Sequence, residues 1–241
     1  MSTIGAAALT YADWAKRQDN EGQSEVIERL SQTNDTLSDC LVVEANGPVG
    51  HVTTVRTGLP QATWRMLYQG VQPQKSTTAK ISDGIGMLET YSVVDKALAD
   101  LNGNAPEFRL SEDMAFAEGM SQQMASTIFY GNTVTNASAF TGLAPRYNAT
   151  STATAQSAAN VIDMLGTQST NTSIWDTTWG ARTCHMIFPK GGKAGFTMKD
   201  KGDMQTQVNT DGSQYEVYRT HFKWDNGLTL RDWRYVFRLC N

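Results

Sequence analysis

Charge is scarce in this 241-residue chain: Asp, Glu, Lys and Arg make up 18% of it, with a net charge of −4. So little positive charge argues against a dedicated nucleic-acid-binding surface. Cysteine is scarce as well, and the three present, Cys40, Cys184 and Cys240, form no C-x-x-C pair. An odd number so far apart predicts free thiols in a reducing compartment rather than a disulfide framework. No apolar run approaches the roughly 20 residues that span a bilayer. The opening residues 1–10 have no basic segment ahead of an apolar one, so a signal peptide is not expected. What is present is 40% hydrophobic residues, enough for a core burying about 70% of the unfolded surface. The polar share is mostly uncharged Thr, Ser, Asn and Gln, a composition at ease among close neighbours. The reading is a soluble, intracellularly made protein with a slight lean toward assembly.

Recognisable catalytic chemistry is also missing. There is no G-x-S-x-G, H-E-x-x-H or G-x-G-x-x-G. The glycine loop Gly191-Gly-Lys-Ala194 invites a phosphate-binding reading, but that motif needs Gly and Ser or Thr where Ile187 and Ala194 stand. Cys184 and His185 are adjacent on a predicted strand, so their side chains diverge. His51 and His221 share no ligand spacing with them. No catalytic, metal-binding or cofactor-binding residue is nominated, and no cofactor is implied.

The patterning predicts an α+β chain. Val26, Ile27, Leu30 and Leu37 give residues 11–45 helical spacing. A β-branched run, Val49–Arg56, is predicted to pair with 62–68 across a turn at Thr57–Pro60. The strongest helix signal begins at Ser111, with Glu112 and Asp113 in its first turn, and Gly131 ends it. Met114, Ala117, Met120, Met124 and Ile128 form its apolar stripe, and Gly119 in mid-helix implies a close partner or a slight bend. Further expectations are a short helix over 156–165 and strands over 173–179, 183–188, 215–224 and 228–240. A hairpin turn is expected at Asp225-Asn-Gly227.

Charge is segregated along the chain. Residues 11–48 carry eight acidic and three basic residues, residues 49–81 have four basic residues and no carboxylate, and residues 82–118 sum to −6. A two-stranded hairpin is marginal alone in water, so the basic hairpin must lie against something. One candidate is the acidic helix of a neighbouring copy; the other is its own subunit. On the first reading the contacts are Arg56, Leu59, Trp64, Arg65, Met66 and Tyr68 against Glu112, Asp113 and Glu118. Ion pairs worth about 0–1 kcal/mol each would add to apolar anchoring of the kind interface cores use.

Several runs then resemble the major capsid proteins of tailed, podovirus-type bacteriophages: Thr10–Arg17, Asn46–Pro60, Thr63–Arg65, Val94–Asn104, Phe108–Asp113, Phe129–Asn132 and Lys223–Gly227. The resemblance covers nearly the whole chain. It implies the Hong Kong 97-type capsid fold, with an N-terminal arm at 1–47, an E-loop hairpin at 48–82 and a P-domain with spine helix at 83–138. An A-domain at 139–226 and a returning strand at 227–241 complete it. It also implies a non-enzymatic shell subunit that forms pentamers and hexamers around double-stranded DNA, contacting the DNA non-specifically. Such a protein is located in the virion, is assembled in the bacterial cytoplasm and has no membrane contact. A separate scaffolding protein, a portal and a decoration protein are the further partners implied. The predicted hairpin tip, Gly58–Pro60, lacks the lysine that some relatives use for crosslinking. Relatives continue past the strand in which this chain stops at Asn241. The rival readings are a small cytosolic α/β enzyme using Cys184 or His185 and a phage surface binding module.

Overall fold

The computed structural model describes residues 18–19, 22–23, 34–164, 172–202 and 205–240. Its strands are β1 (Gln18–Asp19), β2 (Gly22–Gln23), β3 (Val42–Glu44), β4 (Gly50–Gly58), β5 (Thr77–Asp95), β6 (Val161–Asp163) and β7 (Ile174–Thr177). They continue with β8 (Cys184–Phe188), β9 (Thr197–Asp200), β10 (Gln205–Val208), β11 (Gln214–Leu230) and β12 (Val236–Cys240). The helices are α1 (Asp35–Asp39), α2 (Lys96–Ala99) and α3 (Ala105–Tyr130). Two compact units divide the chain, and it passes between them within α1, β5, α3 and β11 and, between β8 and β9, at Ala194–Gly195.

The first unit combines residues up to Leu37 with Met87–Ser126 and Gly195–Trp224. Here α3 shares the core with the end of β5, α2 and β11. It runs for 26 residues, about 39 Å at 1.5 Å per residue, and starts six residues before the expected Ser111. The reason is local: Asn104-Ala-Pro-Glu107 places Pro in the first turn, where its missing N–H costs nothing. Glu107 accepts from the Asn104 side chain, and the Phe108 N–H donates to the Asn104 carbonyl at 3.2 Å. The buried residues along α3 are Phe108, Glu112, Asp113, Met120, Met124 and Ile128, whereas Met114 is exposed. Phe108 packs with Val94, Leu98 and Ala99. Phe116 and Phe196 stack on the fully buried Phe222 of β11 at 6.1 and 5.7 Å. A side chain at Gly119 would meet open space, so no close partner among the described residues explains it.

The second unit combines Ser38–Gly86, Thr127–Ala194 and Asp225–Asn241. Its centre is β8, which pairs in parallel with β3 and antiparallel with β11, Gly227 opposite Ile187. Strand neighbours on both edges and layers on both faces leave Cys184, His185, Met186 and Ile187 buried together, the pattern of a two-sided strand. A three-stranded sheet has β12 between β6 and β7. The last turn of α3 meets 140–143 backbone to backbone, with the Gly142 N–H on the Gly131 carbonyl and the Leu143 N–H on that of Ile128.

Several expectations are corrected. Residues 62–68 form no strand; β4 pairs instead with Thr77–Gly84, leaving a long connection from 59 to 76. Asp225-Asn-Gly227 is not a turn but the interior of β11, because pairing with β8 outweighs the local turn preference. A Cβ on Gly227 would lie 2.5 Å from the Gly84 carbonyl oxygen, so glycine is there for close approach. Residues 228–240 are broken by a 3-10 turn at Trp233–Tyr235, capped by Asp232. Residues 156–160 form a 3-10 turn that passes into β6 rather than a helix to 165. In the N-terminal segment Gln18 pairs with Gln23, which is not helical. Val26, Ile27 and Leu30 lie outside the described residues, and Leu37 lies in α1.

Candidate inter-subunit surface

The hairpin is built from its root. Asn46 clamps the entry to β4: its side chain donates to the Val52 carbonyl at 2.7 Å and accepts from the Val52 N–H at 2.9 Å. Gly50 permits β5 to close in, since a Cβ there would lie 2.6 Å from the Asp83 carbonyl oxygen. Asp83 is buried and paired with Arg146 at 2.8 Å. Arg146 also donates to the carbonyls of Thr141, Gly142 and Leu228. A buried pair of this kind is costly to break, because the partner left behind is an uncompensated charge.

His51 and His185 meet edge to face at the same root, with ring centroids 6.2 Å apart. The His51 ring faces two donors, the Asn46 N–H at Nδ1 and the Arg231 guanidinium at Nε2, each at 3.2 Å. An imidazolium can accept neither. Burial first, and then Arg231, hold both histidines below the usual imidazole range, while Asp83 acts the other way. Between the lowered folded value and the ordinary 6.5, the unfolded chain binds more protons than the folded one. This contribution to stability is therefore complete above 6.5 and is lost as pH falls through the folded values. Thermal denaturation at a series of pH values should show the melting temperature falling as pH drops below about 6.5, before ordinary carboxylates titrate. A flat profile from about pH 7.5 to 5 would contradict this.

Beyond the root, the hairpin is bare. Every residue from 59 to 75 is exposed, with Trp64 at 102% and Tyr68 at 104% of their reference areas. Leu59, Met66 and Leu67 stand out beside them. Arg65 donates to the Gln69 carbonyl at 3.2 Å and holds a turn in which Tyr68 takes φ +68°. That conformation is uncommon outside glycine. Soluble monomers seldom leave so much contiguous apolar surface uncovered. The structure therefore brings Arg56, Leu59, Trp64, Arg65, Met66 and Tyr68 together on one exposed projection.

The acidic residues fare differently. Glu112 and Asp113 are 9% and 6% exposed, and Asp113 accepts from the Thr220 hydroxyl of β11 at 2.9 Å. A carboxylate committed to its own subunit presents no docking face, so these two leave the expected interface. Glu118 is half-buried and accepts from Gln122 at 2.8 Å. Leu67, absent from the expected contacts, is exposed on the same projection, and its place in the apolar run Met66-Leu-Tyr68 is the signal that marks it. The Cys184–His185 pair is shut away: both are completely buried, and burial pushes the Cys184 thiol up to about 12. A thiol held protonated and without access is no nucleophile.

A subunit that fills its own core yet leaves its longest loop apolar and bare is a component of a larger assembly. Similarity to known proteins says which. A solved structure of bacteriophage Epsilon15 is 33% identical, with a TM-score of 0.75, covering 100% of this chain and 72% of that one. The SrpI encapsulin of Synechococcus elongatus shares the fold at 9% identity, a TM-score of 0.59 and 96% of each chain. A chain of Mycobacterium phage Adephagia does so at 11% identity and a TM-score of 0.55, over 93% of this chain and 92% of that one. No curated protein sequence matches. The class is thus a structural capsid subunit of the Hong Kong 97-type fold. The chain belongs to the family described as major capsid protein GP7, which it matches over residues 18–241.

Proposed function

We propose that this capsid subunit closes its shell by laying the hairpin tip, residues 59–76, across a neighbouring copy. The observation that carries this reading is the unbroken exposure of 59–75 together with the apolar content of that run. Residues 1–47 serve as the N-terminal arm, 48–82 as the E-loop, 83–138 as the P-domain, 139–226 as the A-domain and 227–241 as a returning segment. Copies gather as pentamers and hexamers into an icosahedral head around double-stranded DNA, touching it non-specifically. Scaffolding, portal and decoration proteins are separate chains, assembly takes place in the host cytoplasm, and the subunit performs no catalysis.

Negative-stain electron microscopy with sedimentation tests the reading directly: closed shells or rings of five and six are expected. Reversing the hairpin charge (Arg56→Glu with Arg65→Glu) should leave the melting temperature unchanged, because both residues are exposed, yet cut the yield of particles severalfold. Normal particles from that double variant would remove the charged contacts from the interface.

A further inference from the structure

A groove of about 930 Å³ runs along β4 in the second unit. One wall is Thr53–Leu59; residues 230–234 and Arg182 approach from distant parts of the sequence. Five arginines line it, Arg56, Arg146, Arg182, Arg231 and Arg234, against a single carboxylate, Asp232. This in a chain of net charge −4 is a local concentration of positive charge, not the background.

Two of the five are already neutralised, Arg146 by Asp83 at 2.8 Å and Arg234 by Asp232 at 2.7 Å. Arg231 donates to the Ala181 carbonyl at 3.0 Å and lies 3.2 Å from His51 Nε2, both neutral groups, so its charge persists. Arg56 and Arg182 are exposed and, among the described residues, have no ion-pair partner. Three uncompensated guanidinium groups thus converge on one open groove. Guanidinium recognises carboxylate and phosphate alike through paired N–H groups. The lining separates the two: Val55, Leu230 and Trp233 offer apolar surface that a polyphosphate backbone would leave uncovered. A peptide with carboxylates set among apolar side chains fits both features.

We infer that this groove receives a carboxylate-bearing segment of a second copy of the chain. The complementary charge is in the same sequence: eight acidic residues lie within 11–48, and within 82–118 there are carboxylates other than the buried Asp83, Glu112 and Asp113. A capsid subunit meets its own copies at high local concentration. The inference rests on the reading that copies associate through the hairpin, and adds a receiving site at its root to the projecting tip.

The test uses Arg182→Lys, which keeps the charge and supplies an amine. Particles assembled from equal parts of light and heavy nitrogen-labelled chain are treated with a zero-length carbodiimide and read by peptide mass spectrometry. Expected are links from the introduced amine at position 182 to an Asp or Glu peptide, with mixed-isotope pairs proving that two copies are joined. In parallel, Arg56→Glu with Arg182→Glu should raise the concentration at which particles first form by about tenfold. Particles in which that amine stays unlinked, or is linked only within one isotope or to another protein, overturn the groove and leave the shell reading standing. Linked copies without any particle support the groove and overturn the shell reading.

Discussion

Trp64→Ser combined with Tyr68→Ser is expected to abolish particle formation while leaving the isolated subunit as stable as before. Both side chains are fully exposed, so folding draws nothing from them and their loss has no cavity to open. In an assembled shell the balance is different. Aromatic residues seated at the centre of an interface are worth about 2 kcal/mol or more each on truncation. Two together amount to roughly 4 kcal/mol, about a thousandfold in association per contact. Calorimetry of the unassembled subunit and sedimentation of the product separate the two effects. Particles in normal yield would show that the tip is not the contact. A lower melting temperature would show instead that the aromatics pack within their own subunit.

The second large effect is on folding. Gly142→Ala places a Cβ 2.6 Å from the Thr127 carbonyl oxygen, 2.7 Å from that of Ile128 and 2.9 Å from the Gly131 nitrogen. All three are backbone atoms of the α3 terminus, which cannot swing aside as a side chain can. Relief requires moving the 140–143 segment, and with it the hydrogen bonds to Gly131 and Ile128 and the buried Phe140 and Leu143. A loss of about 4 kcal/mol or more is expected, a large share of the roughly 5–15 kcal/mol typical of a whole domain. The natural control is Gly119→Ala, where a Cβ meets nothing among the described residues and helix propensity alone should stabilise by up to about 1 kcal/mol. Denaturant titration of both variants checks the pair. Equal stability of Gly142→Ala and the parent would show that this crossing is looser than described.

Much of the architecture is legible in the residues, because periodicity is local. The run Cys184–Phe188, apolar apart from His185, announces a buried strand, and the stripe from Met120 to Ile128 announces the inner face of α3. The helix start is legible too, in Asn104-Ala-Pro-Glu107, but the competing signal at Ser111 obscures it. The errors have one cause. Whether 62–68 or 77–84 pairs with β4, and whether Asp225-Asn-Gly227 turns or runs straight, depends on partners far away in sequence. Local preference of a few tenths of a kcal/mol yields to a ladder of backbone hydrogen bonds.

The candidate surface divides in the same way. Composition and residue order suffice to show that the hairpin is basic, that its tip is apolar, and that the chain resembles phage capsid proteins. Folding does not alter such properties. Which charges remain available is a different matter, and the fold alone settles it. Asp113 is committed to Thr220 and Asp83 to Arg146, while Arg56, Arg182 and Arg231, up to 175 positions apart in the chain, are brought to one groove. Burial and pairing are relations between residues distant in sequence, and they exist only once the folded chain has made those residues neighbours.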